Sequence, residues 1–285
     1  MEWYTLVLIS ALLAALISII RKKVLLKEHA SEFITTAHLF MAFLLLPVLS
    51  KIDINIDLIT FLLILIKGII AAISGIMLAR AARHLEISTV EPLRNLTVVF
   101  VLLLSFIFLG ESVGIQHGIG LVLTIAGSYF LDVKKDSIKY SKPHRKYIMY
   151  MIIQVFLVAI LVLMDRIILQ RTTVYTLLIL PVYITTIILL IYQSLKYKGL
   201  EDVWHSVRTG GVWIVFAVIF AIASDLTYLM AVSIPTAMIA LIMALRRTST
   251  LISTIVGGEI FHDHNLIQKI AASVVILAGV YLIIL

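Results

Sequence analysis

Apolar runs of roughly twenty residues, each closed by a short polar break, follow one another along the whole chain. They fall at about 3–20, 33–49, 58–79, 88–109 and 115–131, and again at about 147–164, 174–195, 210–232, 236–258 and 266–285. Each exceeds the ~9–11 residues of a membrane strand and approaches the ~20 of a spanning helix. The pattern therefore predicts ten transmembrane helices, which use most of the 285 residues and leave no room for a soluble domain. Pro47 cuts the second run and Pro181 lies inside the seventh. Either kinks or ends a helix without removing the span, because neighbouring helices can satisfy the freed carbonyl. Only Met1-Glu2 precedes the first run, so it is expected to be a retained span rather than a cleaved signal.

Composition agrees with lipid as the solvent. Hydrophobic residues make up 62% of the chain, charged residues 14%, and the mean hydropathy is +1.12. Soluble chains carry about 45–50% apolar and ~25% charged residues. There is no cysteine, which excludes disulfides and thiolate metal sites. The net charge of +7 is concentrated in alternate loops: sixteen lysines and arginines follow spans 1, 3, 5, 7 and 9, against three on the other side (Lys51, Arg166 and Arg171). That bias predicts a multi-pass protein of the cell membrane with those loops cytoplasmic and both termini external. The basic stretch 133–146 is a linker that either touches anionic lipid or serves as a topology signal. Membrane lipids are the expected partners of these charges, and nucleic acid is not.

The two halves repeat. A shift of 152 residues places Leu93-Arg94 on Leu245-Arg246, Glu111 on Asp263, Ile115-Gln116 on Ile267-Gln268 and Ala126-Gly127 on Ala278-Gly279. A shift of about 144 aligns Ala15 with Ala159, Lys22 with Arg166 and Lys27 with Arg171. Five spans per copy force the second copy upside down, the inverted-repeat plan of secondary transporters. The expected fold is thus an all-α membrane protein of ten helices in two inverted five-helix repeats, 1–132 and 147–285.

Val90-Glu91-Pro92-Leu93, followed by Phe108-Leu109-Gly110-Glu111, Ile115-Gln116, Gly120 and Ala126-Gly127, resembles the EamA repeat of the drug/metabolite transporter superfamily. Gly257-Gly258-Glu259, Asp263, Gln268 and Ala278-Gly279 are similar in the second half. The resemblance implies transport through a cavity bounded mainly by spans 3, 4, 8 and 9. Ala244 stands where the first copy has Pro92, so the ninth helix is expected to run straighter than the fourth.

Charges inside the spans are the candidate chemistry, because an arginine at mid-membrane costs at least ~2.5–3.5 kcal/mol. Glu91, Arg94 and Asn95 share a face of the fourth helix. They are either an interfacial Glu91–Arg94 pair or a cavity wall. In the ninth, Arg246, Thr250 and Ser253 form a stripe with Arg247 on its flank. Adjacent helical residues diverge by ~100°, so Arg246 is assigned to the ligand and Arg247 to a structural partner. Lys67 and Asp225 lie at similar depth and are expected to pair, unless Asp225 carries a coupling proton. Asp165-Arg166 is read as a solvated helix end, and Gly114, Gly118 and Gly120 as a close-packing face. His262, Asp263 and His264 do not make a complete metal-ligand set, and no cofactor is expected.

The favoured function is a secondary transporter, working as an exporter, for a small metabolite, with an anion as the candidate class. The substrate residues would be Arg94, Asn95, Arg246, Arg247, Thr250 and Ser253, in a monomer or homodimer. The alternative is a flippase for a phosphorylated lipid carrier. An intramembrane enzyme is disfavoured: there is no His-Glu-x-x-His, Gly-x-Ser-x-Gly or cysteine nucleophile. A receptor or scaffold would not need inverted repeats.

Overall fold

The computed structural model describes residues 2–109, 115–130, 142–235, 237, 239–263 and 265–284. Glu111, Gly114, His264 and most of the basic linker lie outside the described residues. Among them, every regular element is helical: α1 (Trp3–Leu25), α2 (Ala30–Leu44), α3 (Leu58–His84), α4 (Ile87–Leu93), α5 (Leu96–Leu109), α6 (Ile115–Phe130) and α7 (Lys142–Leu169). There follow α8 (Val174–Lys196), α9 (Leu200–Val232), α10 (Ile239–Arg246), α11 (Thr248–Ile252), a π-helical turn Ser253–Gly257, α12 (Gly258–Ile260) and α13 (Leu266–Ile284). Among the described residues six helical segments are long and apolar enough to cross a membrane: α1, α3, α4 with α5, α7, α8 and α9. The second run is shorter than expected, since α2 ends at Leu44 and a 3₁₀ turn, Leu46–Lys51, takes up Pro47. Pro181, by contrast, sits inside an unbroken α8.

Helix α9 begins ten residues earlier than its apolar pattern predicts. Residues 200–210 form a polar helical segment, and Gly211 then breaks the helix with φ 43° and ψ −124°. A side chain is strained in that left-handed region, and glycine is not. Trp204 on the early segment carries Arg208 over its ring at 5.2 Å, and Lys23 lies 3.6 Å from the Trp213 ring centre. Such pairs suit a membrane interface, where a ring and a cation can share apolar and wet surroundings.

Packing follows the small residues. Helix α3 approaches α8 at Gly68, where a Cβ would fall 2.5 Å from Ile184 Cγ2, and Thr185 Oγ1 donates to the Gly68 carbonyl at 3.0 Å. The most extensive contacts are α1 with α9, α3 with α7, and α6 with α13; α2 packs on both α8 and α9. The α6–α13 seam is made by Gly127 against Ile276 rather than by Gly118, which has open space before it. One end of the bundle is tied across the halves by Lys269 to Glu86 and by Asp263, which accepts from the Ser88 amide and hydroxyl at 2.8 and 2.5 Å.

At that same end, between α1 and α2, Glu28 is 1% exposed. Its Oε2 accepts from Ser206 and its Oε1 is buried without a donor. Glu32 and His205, which pair at 3.3 Å, are its charged neighbours. Burial pushes the Glu28 carboxyl up to about 7. The folded state therefore holds this proton more tightly than the unfolded state, and stability falls as pH rises from about 4.5 to 7. Glu28→Gln should flatten that part of the pH–stability curve and raise the unfolding temperature above pH 7. A thermal melt in detergent with an unchanged pH profile would contradict this account.

Candidate functional site

A cavity of about 400 Å³ runs through the centre of the bundle. That is within the range of small-molecule sites, ~300–1,000 Å³. Its walls come from α1, α2, α3, α7, α8 and α9 and from the junction of α10 with α11. Most of the lining is aliphatic, and the charged groups that reach it are Arg21, Lys67, Arg94, Asp165, Asp225, Arg246 and Arg247, with His38 and Tyr228 beside them.

Two backbone breaks deliver the arginines. The fourth run stops at Leu93, turns through Arg94-Asn95, and restarts at Leu96. The ninth stops at Arg246, turns at Arg247 (φ −71°, ψ −9°), and restarts at Thr248. The ninth helix is thus not straighter than the fourth; it is interrupted at the equivalent place without a proline and again in the π turn Ser253–Gly257. At the second break Thr248 Oγ1 donates to the Leu245 carbonyl at 2.9 Å, and Thr250 Oγ1 donates to Asn95 Oδ1 at 2.9 Å, tying one break to the other. Ser253 Oγ donates to the Ser249 and Thr250 carbonyls at 2.9 and 3.2 Å. Asn95, Thr250 and Ser253 are consequently buried between helices rather than lining the cavity; Ser249 lines it instead.

The break also places the two arginines otherwise than helical divergence predicts. Helical divergence would have sent them to different surroundings, but Arg247 occupies a turn and both reach the cavity. Arg246 is the one with partners: its Nη2 is 3.3 Å from Asp225 Oδ1 and 3.2 Å from Ser224 Oγ, and its guanidinium lies 4.4 Å from the Tyr228 ring centre. Ser224 is itself fixed by reciprocal bonds with Ser10 on α1. Arg247 is 7% exposed and has no hydrogen bond or ion pair among the described residues, with its Nε buried and unserved.

Lys67 pairs with Asp165, not with Asp225. Equal depth misled the expectation: α3 packs along α7, which carries Asp165, while α9 with Asp225 packs along α1. Asp165 is therefore no solvated helix end. It is 5% exposed and also accepts from Tyr228 Oη at 3.3 Å. Arg166 beside it caps the end of α9, donating to the Val232 and Ile234 carbonyls at 2.6 and 3.3 Å. Glu91 and Arg94 do pair, at 3.0 Å, and Arg94 also donates to Ser18 Oγ at 3.3 Å.

Arg21 is the lining residue that sequence reasoning missed. It opens the basic cluster Arg21-Lys22-Lys23, which the hydropathy pattern assigns to a loop. In the structure it lies one turn inside the end of α1 and faces the cavity, again with no hydrogen bond or ion pair among the described residues. Lys22 next to it is buried and donates to the Ala82 and Leu85 carbonyls at 3.0 and 2.6 Å. The available signal was helix phase: Arg21 falls three residues after Ser18, on one face with it.

Comparison with known proteins places this geometry in context. Residues 1–131 match the model of the EamA-like transporter family. No curated protein matches the chain, whereas 25 solved chains do. One, described only as the crystal structure of a protein, is similar over 98% of this chain and 94% of its own, with a TM-score of 0.59 and 13% identity. At that identity the likeness speaks for the fold alone.

The Lys67–Asp165 pair gives a direct test of the site's dryness. Removing Lys67 alone leaves a buried carboxylate uncompensated and should cost about 3–5 kcal/mol, whereas Lys67→Met with Asp165→Leu should recover most of it. Melting temperatures of the two single variants and the double variant in one detergent measure this. Singles no worse than the double would mean that water, not the partner, stabilises each charge.

Proposed function

Residues 1–131 are an EamA-like transporter family domain, and from that premise we propose that the chain is a secondary transporter for a small anionic metabolite. The observation that carries the anion is Arg247, a buried guanidinium facing a cavity with no protein partner among the described residues. Arg21, half-buried, faces the same space, also without a hydrogen bond or ion pair among the described residues. Arginine keeps its charge and binds carboxylate or phosphate through a planar fork, more strongly where water is excluded. A substrate anion would supply the acceptors that the protein withholds.

Alternating access between two inverted repeats is the proposed mechanism, and the pattern of helix contacts supports it. Exchanging each helix for its counterpart five spans away turns the α1–α9 contact into the α7–α3 contact. The same exchange maps the α2–α8 and α6–α13 contacts onto themselves. A bundle with that relation has two related packings of the same surfaces, in which the cavity opens to opposite sides. The Glu86–Lys269 and Ser88–Asp263 ties would break when their end opens. EamA-like families consist of transporters rather than enzymes, in keeping with this reading. Export is the proposed direction, and the basic end is proposed to face the cytoplasm.

Purified wild-type protein should be stabilised against heat by small organic anions, and Arg247→Ala should weaken that binding by about 10-fold or more. Arg246→Ala should instead lower stability in the absence of ligand, since it removes the contacts with Asp225, Ser224 and the Tyr228 ring that join α10 to α9. Should no carboxylate or phosphate raise the wild-type melting temperature, the anionic substrate is wrong.

A further inference from the structure

The charges at the cavity can be paired off. Among the described residues the lining carries five cations, Arg21, Lys67, Arg94, Arg246 and Arg247, and two carboxylates, Asp165 and Asp225. Lys67 takes Asp165, Arg246 takes Asp225, and Arg94 takes Glu91 just behind the wall. Arg21 and Arg247 remain, so among the described residues two positive charges are uncompensated.

Those two are not scattered. Arg94 and Glu91 act on both Arg21 and Arg247, and Arg246 acts on Arg247 as well. Helix α1, which carries Arg21, α4, which carries Glu91, and α11, which begins directly after Arg247, are in mutual contact. Ser18, one turn before Arg21 on α1, accepts from Arg94. Arg21 shares a cleft with Ser18 and Glu91, and Arg21, Arg94 and Arg247 all reach the cavity wall, so three guanidiniums and one carboxylate lie at one part of it, with Arg246 next along the chain held by Asp225 and Lys67 held by Asp165. Much of the wall is aliphatic, with Ile17, Leu78, Val158 and Leu161 among its members.

Resting on the anionic reading above, we propose that the substrate carries two negative charges on one compact head group, as in a phosphate monoester, joined to an organic body. A monoanion would leave one buried cation unneutralised. A dicarboxylate with well-separated charges would place its second charge among the neutral pairs or against aliphatic side chains. A phosphate monoester has three terminal oxygens for three converging guanidinium forks and a net charge near −2 above its second pKa of about 6. The organic body then lies along the aliphatic wall.

Binding to the purified full chain tests this with probes matched in size: phenyl phosphate, a dianion at pH 7.5, methyl phenyl phosphate, a monoanion, and benzoate. Phenyl phosphate should bind about 10-fold or more tightly than the diester at pH 7.5, and the gap should shrink at pH 5, where the monoester has lost a charge. Arg21→Gln and Arg247→Gln should each bring the two esters to within about 2-fold of one another. Arg247→Lys, which keeps the charge, should retain the preference and guards against a variant that merely misfolds. Equal affinities for the two esters in the wild type, or a preference that survives both glutamine variants, would overturn the proposal while leaving an anionic substrate in place. If benzoate and both phosphates fail to bind, the anionic reading itself falls. A polyprenyl phosphate in the micelle that displaces phenyl phosphate assigns the head group to a lipid; one that does not assigns it to a soluble ester.

Discussion

Positive charge held away from water has to be neutralised, and the centre of this bundle is arranged around that demand. Each of Lys67, Arg94 and Arg246 has a carboxylate, and two of the three draw it from a different run of helix. Lys67 on α3 uses α7, and Arg246 at the end of α10 uses α9. These ion pairs therefore fasten helices together as well as lowering the cost of the charges. Tyr228 lies between two of them, donating to Asp165 while its ring receives the Arg246 guanidinium, so α9 reads the state of both. Removing one member of such a pair is far more damaging than removing both, which makes the network a constraint on how the helices can move.

The arginines reach the cavity because the backbone gives way twice at equivalent points. A continuous helix buries its own carbonyls and amides and points neighbouring side chains ~100° apart. A turn at Arg94-Asn95 and another at Arg247 relax that rule. The exposed polar backbone is then covered by short side chains, with the Asn95–Thr250 bond joining the two breaks directly. Asn95, Thr250 and Ser253 therefore serve the architecture that presents the charges, although their types and spacing resemble a substrate path. Interrupted helices at the centre of a membrane protein are tolerated where they line a cavity, and this cavity supplies that setting.

Much of the candidate site could be read from residue type alone. A charged residue in an apolar run is costly enough that Lys67, Glu91, Arg94, Asp225, Arg246 and Arg247 stood out without any structure, and all but Glu91 line the cavity. Glu91 stands behind the wall with Arg94. The failures share a cause. Arg21 and Asp165 lie close to run ends, where sequence permits solvation, and only the lateral neighbours decide that they are enclosed. The Lys67 partner was misassigned because depth along a helix says nothing about which helix stands beside it.

Hydropathy by itself determined that the chain is helical and lives in a membrane, because lipid rewards long apolar runs and forbids unpaired backbone. A shift of 152 residues sets Arg94 against Arg246, and the run ends were legible to within a few residues except at α2 and α9. What only the tertiary structure decided is which charges meet. That depends on contacts between helices remote in sequence and on two backbone turns, the second of which no proline or glycine announced. Among the described residues the same contacts leave Arg21 and Arg247 without a hydrogen bond or ion pair, and that is a property of the folded neighbourhood that no local pattern of residues encodes.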